Sequence, residues 1–369
     1  MITSTFLAAA PLLLAAFAGV AEATSCNATT PCPSSAPCCS EYGFCGTDSF
    51  CLGGCNPFAS NTLDSCRPEP LCKNSNFTFS DQSRILSNFT FFDGNVSAYD
   101  WTVDKGNIQN SDGSLALVLT ETNGGTRISS TRYVHYGTIT ASLKTGRWGG
   151  VVTAFITMSD VKDEIDWEFP GGNTTQGQSN YFWQGLIPDK TNGGIHGGLT
   201  DTFSNYHDYT IDWQPDALTF SIDGKTVRTV KKTDTVDAKG VANYPTTPAR
   251  IQLSLWPAGI TGTPQGTVDW AGGMINWDDP DYKAAGQFYA LVKSVSVQCS
   301  DSEVTTLTSN ITSYVYGGNR SDTSPTILYT NKTSLLNGAG RIAPIMGGVS
   351  GSLLALGMGV ILGVNALLL

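Results

Sequence analysis

From Glu164 to Phe169, the stretch Asp163-Glu164-Ile165-Asp166-Trp167-Glu168-Phe169-Pro170-Gly171-Gly172 alternates acidic and apolar side chains without a break. Side chains on a β-strand point to opposite faces in turn. The pattern therefore predicts a strand with Glu164, Asp166 and Glu168 on one face and Ile165, Trp167 and Phe169 on the other. Three carboxylates in line repel one another, which costs stability and raises at least one pKa. A solvated acidic edge strand or a calcium site is one account of such a row. The apolar residues between the acids favour the other account, a central strand whose acids face a cleft.

The same period of two recurs on both sides. Leu115–Leu119, Gly137–Leu143, Leu218–Ile222, Arg250–Trp256 and Phe288–Val292 are short alternating runs between Gly, Asn and Asp turns. Phe220–Val227 reads as a tight hairpin with its turn at Asp223-Gly224. No long helical periodicity interrupts them. Residues 73–300 thus read as an all-β domain, a two-sheet sandwich or jelly roll.

Two carboxylates flanking a glycosidic bond are what glycoside cleavage requires. On an ideal strand the Cα atoms of Glu164 and Glu168 lie about 13 Å apart, at roughly 3.3 Å per residue. Side chains leaning inward on a concave sheet bring the carboxyls to about 5–6 Å, the spacing of a retaining mechanism. Arg250 and Trp256 lie six residues apart on one strand and so share a face, with Thr267 on the next element. An arginine there can hydrogen-bond sugar hydroxyls, and a tryptophan can stack on a pyranose ring. A surface charge and a core aromatic are the plainer readings of Arg250 and Trp256. Trp148, Tyr181, Trp183 and Trp270 either stack on sugar or fill the sandwich. The three histidines lack a visible Ser/Asp constellation.

Glu164-Ile165-Asp166-Trp167-Glu168 resembles the E-I-D-x-E signature of glycoside hydrolase family sixteen, a concave β-jelly roll that retains anomeric configuration. The wider chain resembles the fungal Crh-type cell-wall transglycosidases. Supporting segments are Gly193–Gly198, Ser254–Gly259 and Gly266–Gly273. The resemblance implies Glu164 as nucleophile, Glu168 as general acid/base that also touches substrate, and Asp166 as their assistant. It implies Arg250, Trp256 and Thr267 as residues binding a donor chitin chain. The implied activity transfers chitin to β-glucan or chitin acceptors, with some chitin hydrolysis. A purely hydrolytic chitinase or β-glucanase, and a non-catalytic wall lectin, are the alternatives.

Nine of the ten cysteines fall between Cys26 and Cys72, which predicts a disulfide-stapled module over residues 24–72 in an oxidising compartment. Cys38-Cys39-Ser40-Glu41-Tyr42-Gly43-Phe44-Cys45, continuing to Phe50-Cys51, resembles hevein-type chitin-binding modules. Tyr42, Phe44 and Phe50 are candidates for a sugar-stacking platform, with Ser40 as a hydrogen-bonding partner; the plainer reading makes them the module's own small core. The hevein pattern implies Cys26–Cys39, Cys32–Cys45 and Cys38–Cys51. Cys55–Cys66 then makes a fourth loop and leaves Cys72 for Cys299.

Composition agrees with a secreted chain. Only 14 % of residues are charged, against about 25 % in an average soluble protein, while 40 % are hydrophobic. A net charge of −10 with 21 Lys+Arg argues against nucleic acid. Three histidines argue against a multi-His metal site, and no cofactor motif is present. Residues 1–23, ending in Ala21-Glu22-Ala23, read as a signal peptide, with a membrane anchor as the alternative. Residues 338–369 end on an apolar tail with no polar flank, the layout of a GPI-anchor propeptide with the lipid on Asn337; an ordinary tail anchor is the alternative. Sequons stand at Asn27, Asn76, Asn88, Asn95, Asn173, Asn310, Asn319 and Asn331. Residues 301–337, rich in Ser, Thr and Asn, read as a glycosylated stalk. The expected whole is a monomeric cell-surface protein held at the membrane by its lipid, with chitin and β-glucan as partners.

Overall fold

The computed structural model describes residues 24–301, 310–320, 322 and 324–336. The expected signal peptide, the GPI propeptide and Asn337 lie outside the described residues. Two eight-stranded sheets face each other as a jelly roll. The sheet that carries the acidic stretch consists of β1 (Ile85–Leu86), β2 (Trp101–Lys105), β3 (Thr126–Val134), β4 (Val151–Ser159), β5 (Glu164–Pro170), β6 (Gln176–Phe182), β7 (Gly194–Gly197) and β8 (Ala249–Pro257). Its spatial order is β7-β6-β5-β4-β8-β3-β2-β1, antiparallel except for the β1–β2 pair. The second sheet centres on the long strand Phe288–Cys299, flanked by Gly137–Lys144 and Ser114–Leu119. Two helices of six residues, α1 (Gln265–Trp270) and α2 (Pro280–Ala285), pack at one end.

The core lies between the sheets and comes from alternate strand positions. Ile165, Trp167 and Phe169 of β5 are fully buried in it with Tyr209, Ile211, Trp213 and Phe220 from the opposite sheet. The other side of β5 is therefore left for polar residues, and that is where the acids stand.

All ten cysteines are paired: Cys26–Cys39, Cys32–Cys45, Cys38–Cys51, Cys55–Cys66 and Cys72–Cys299. The last bridge spans 227 residues and ties the entrance of the jelly roll to its final strand.

One expectation is corrected. The described part of residues 301–337 is not a stalk. Ser313–Gly317 and Thr326–Thr330 form a hairpin that pairs with Glu69–Pro70 in a three-stranded sheet. Tyr314 is fully buried and packs with Leu71 and Tyr133, while Asp301 accepts a 2.8 Å hydrogen bond from the Tyr329 hydroxyl. Burying these aromatics outweighs the polar character of the segment between them. Its sequons Asn310, Asn319 and Asn331 are exposed, as are Asn27, Asn76, Asn88 and Asn173, whereas Asn95 is half-buried.

Candidate active site

The strand register builds the site. On β5, Glu164 stands opposite Met158 of β4 and Phe182 of β6; Asp166 stands opposite Ile156 and Asn180; Glu168 stands opposite Ala154 and Gln178. The three carboxylates thus run along one open face, with two strands on one side and five on the other. Asp163, just before them, belongs to the scaffold. Its buried carboxylate accepts hydrogen bonds from the backbone amides of Gln184, Thr246 and Thr247 (2.9, 2.8 and 3.1 Å) and from the Thr247 hydroxyl (2.7 Å). These bonds fix the start of β5 to two loops. Replacing Asp163 with Ala is expected to cost about 2–3 kcal/mol, because buried donors lose a charged acceptor; chemical denaturation measures it.

The electrostatics separate the three acids. Burial pushes the Glu168 carboxyl up to about 8, and the neighbouring charge of Glu164 adds to this. Asp166 is raised well above the usual carboxylate range by burial and by the charges of Glu164 and Glu168 on either side. Glu164 is also raised by burial, but the Asp166 carboxyl and the Lys162 ammonium oppose that rise. Neither Asp166 oxygen reaches a partner at full hydrogen-bond geometry, yet Glu164 is near enough for the two carboxyls to share a proton. Asp166, pushed up by a charge on each side as well as by burial, holds its proton more firmly than Glu164, and Glu168 keeps its own into neutral pH. Such an arrangement offers one carboxyl that ionises more readily, one that keeps its proton, and a buried carboxyl between them.

A hollow beside Glu168 is lined by Gln178, Asn180, Phe182, Ile187, Pro188 and Trp270. Gln178 accepts a 2.8 Å hydrogen bond from the Trp270 indole, and the Trp270 ring stacks on Trp256 with centroids 6.1 Å apart. Trp256 shares the carboxylates' face through Val152 of β4. Half-buried Trp256 and Trp270 therefore offer an aromatic edge at the Glu168 end. Thr267, one turn before Trp270, is buried, and its hydroxyl has no partner. Trp148 and Tyr181 are core residues, and Trp183 is half-buried.

Arg250 also shares the carboxylates' face, opposite Met158, but it is only 3 % exposed. The cysteine module covers it: Glu41 of the module ion-pairs with Arg127 and lies 3.9 Å from Arg250. The structure thus brings Arg250 to the module rather than to the open cleft. Tyr42, Phe44 and Phe50 remain exposed on the module, and the Ser40 hydroxyl accepts a 3.3 Å bond from the Phe44 amide. Reading the sequence alone misses Gln178, which reaches Glu168 only through the β5–β6 register. It also misses Glu41, whose partners are 86 and 209 positions away in the chain.

Comparison with known proteins agrees with this geometry. Residues 95–272 match the family model "Glycosyl hydrolases family 16". The chain is 43 % identical over 258 residues to "Crh-like protein 2" of Aspergillus fumigatus, covering 69 % of this chain and 57 % of that one. Matched by structure, "Crh5 transglycosylase in complex with NAG" superposes with a TM-score of 0.59 at 28 % identity, over 75 % of this chain and all of that one. The apo form of Crh5 transglycosylase gives 0.56 at 30 % identity, over 71 % and 95 % of the two chains. The chain spans less than two thirds of the length of the curated relative. With the acid-lined strand, the opposed sheets and these similarities together, the chain belongs to glycosyl hydrolases family 16, in its fungal Crh-like group.

Proposed function

We propose that this chain is a retaining cell-wall transglycosidase that cuts β-1,4-linked N-acetylglucosamine chains and passes them to β-glucan or chitin acceptors. The observation that carries the reading is the row Glu164, Asp166, Glu168 on one open sheet face, with Glu168 holding its proton up to about 8. Glu164 attacks the anomeric carbon while Glu168 protonates the departing sugar oxygen. Asp166 donates a hydrogen bond to the ionised Glu164 before attack and again when the ester breaks and charge returns to that carboxylate, keeping its own proton throughout. Glu168, now ionised, takes the proton of the incoming hydroxyl, and the carboxylate of Glu164 departs. An acceptor sugar seated against the aromatic edge of Trp256 and Trp270 competes with water for this second step. The Crh-like relatives and the transglycosylase named in the structural match support transfer over hydrolysis.

The supporting features extend to the setting. The paired cysteines fit an oxidising compartment, and Tyr42, Phe44 and Phe50 offer a platform for chitin. We place the protein at the fungal cell surface, anchored by a lipid on Asn337 and acting as a monomer without a cofactor.

Incubating the protein with labelled chito-oligosaccharides and unlabelled β-glucan tests the reading. Labelled polymer is the expected result. Shortened oligomers alone identify a hydrolase, and unchanged oligomers that remain bound identify a lectin.

The pH dependence follows from the same groups. As an acid, Glu168 works only while protonated, so kcat/KM is expected to hold steady towards neutral pH. It then falls about tenfold per unit as pH rises through about 8. A rate unchanged up to pH 10 contradicts the assignment.

A further inference from the structure

The covered Arg250 leads to a consequence for the shape of the cleft. In the proposed reaction the two catalytic carboxylates flank the scissile bond, and both sit on β5, spaced along the strand. The glycan must therefore run across the strands. Towards β7 the path is open: Leu186, Ile187 and Ile195 are 59, 51 and 64 % exposed beside β6 and β7. Towards β8 and β3 it meets the cysteine module. Arg250 lies two strands from Glu164, about 10 Å at the usual interstrand spacing of about 4.8 Å. Arg127 lies one strand further on, in the row of Glu168 through Ser254 and Ala154.

The module's contact with that floor is built rather than incidental. Glu41 enters between the two arginines, and Arg127 is held from its other side by Asp104 at 3.1 Å. Burial works against a charge on Glu41, yet Arg127 and Arg250 hold its carboxyl at about 2. The Gly54 amide donates to Asp160 at 2.9 Å. Gly53 approaches so closely that a side-chain carbon there falls 2.6 Å from the Arg250 guanidinium. Leu52 packs with Leu86 and Phe92. Tyr42 accepts a 2.9 Å bond from Arg127 while its ring stays 62 % exposed.

We propose that the cysteine module is a fixed end wall of the cleft, positioned by Glu41, that keeps the glycan short on the β8 side and leaves it unrestricted on the β6–β7 side. This inference rests on the glycosidase reading. Glu41 is a positioning residue that touches no reacting atom, and the wall selects where along a chain the enzyme cuts.

The full-length chain, given chito-oligosaccharides of increasing length labelled at one end, tests the wall. In the wild type, the number of sugars on one side of the cut is expected to stay constant as the oligomer lengthens. Glu41→Arg places a third cation against Arg127 and Arg250. It is expected to raise the share of longer products on that side about tenfold, the equivalent of about 1.4 kcal/mol, with kcat on the shortest oligomers unchanged. Glu41→Gln keeps the shape and one hydrogen bond, and is expected to stay near the wild-type pattern. Cuts spread evenly along every oligomer in the wild type overturn the proposal, as does an Arg variant that folds and cuts as the wild type does. Amide exchange in the wild type reads the wall without turnover. The Gly54 amide is expected to exchange at least ~10³-fold more slowly than an open amide; fast exchange there overturns the wall. Slow exchange in a protein that neither cuts nor transfers retains the wall and removes the glycosidase reading instead.

Discussion

Glu164→Gln is expected to abolish transfer and hydrolysis together, with kcat lowered on the order of 10⁴- to 10⁶-fold, as when a covalent nucleophile is removed elsewhere. The amide has the same shape and cannot form the glycosyl ester. The fold is expected to survive. Glu164 is half-buried beside two buried acids, and its charge is one reason why Asp166 and Glu168 are held above their ordinary range. Removing that charge relieves repulsion, so the variant is expected to melt at the wild-type temperature or above it. Binding of chito-oligosaccharides should persist, because the aromatic edge of Trp256 and Trp270 is untouched. Initial-rate assays and a thermal melt on the same preparation check both halves. Activity within tenfold of wild type removes Glu164 from the nucleophile's role.

Trp167→Ala has the largest expected effect on stability, a loss of about 3–5 kcal/mol. The indole sits on the reverse of the carboxylate strand, fully buried. It packs edge-on against Phe220 at 5.4 Å and tilted against Tyr209 at 5.5 Å, and its ring nitrogen donates to the Thr210 carbonyl at 3.2 Å. Truncation leaves a cavity between the two sheets directly beneath Asp166 and Glu168, and strands on both sides cannot close it without shifting their registers. For a domain whose total stability is about 5–15 kcal/mol, that loss approaches unfolding. Urea denaturation gives the value. A cost under about 1 kcal/mol contradicts the packing described for this strand.

Much of this was readable along the chain because strand geometry turns sequence parity into sides. The alternation at Glu164–Phe169 assigns the acids to one face and Trp167 to the core without knowledge of any neighbour. The same parity puts Arg250 and Trp256 on one face, and the register agrees. Parity does not say what lies above a face. Arg250 is covered by Glu41 and Gly53, from a module far away in sequence, and such docking depends on how folded surfaces meet. Gln178 reaches the Glu168 end through hairpin register, which turn geometry sets. The strands Ser313–Gly317 and Thr326–Thr330 are hard to read from sequence because five residues each, bordered by sequons, make too short a period beside so much Ser and Thr. Their aromatic residues, Tyr314 and Tyr329, were the signal available.

The central claim is that sugar is held covalently on Glu164 before it is passed on. Mass spectrometry of a Glu168→Gln variant, mixed with a chito-oligosaccharide donor carrying a leaving group that needs no acid, tests this directly. The variant forms the ester but lacks the base that would deprotonate an acceptor, so the intermediate should accumulate. The account predicts a peptide containing Glu164 heavier by the transferred sugar, with the added mass on that carboxylate. Added mass on another residue, or donor turnover with no adduct at any time, contradicts it.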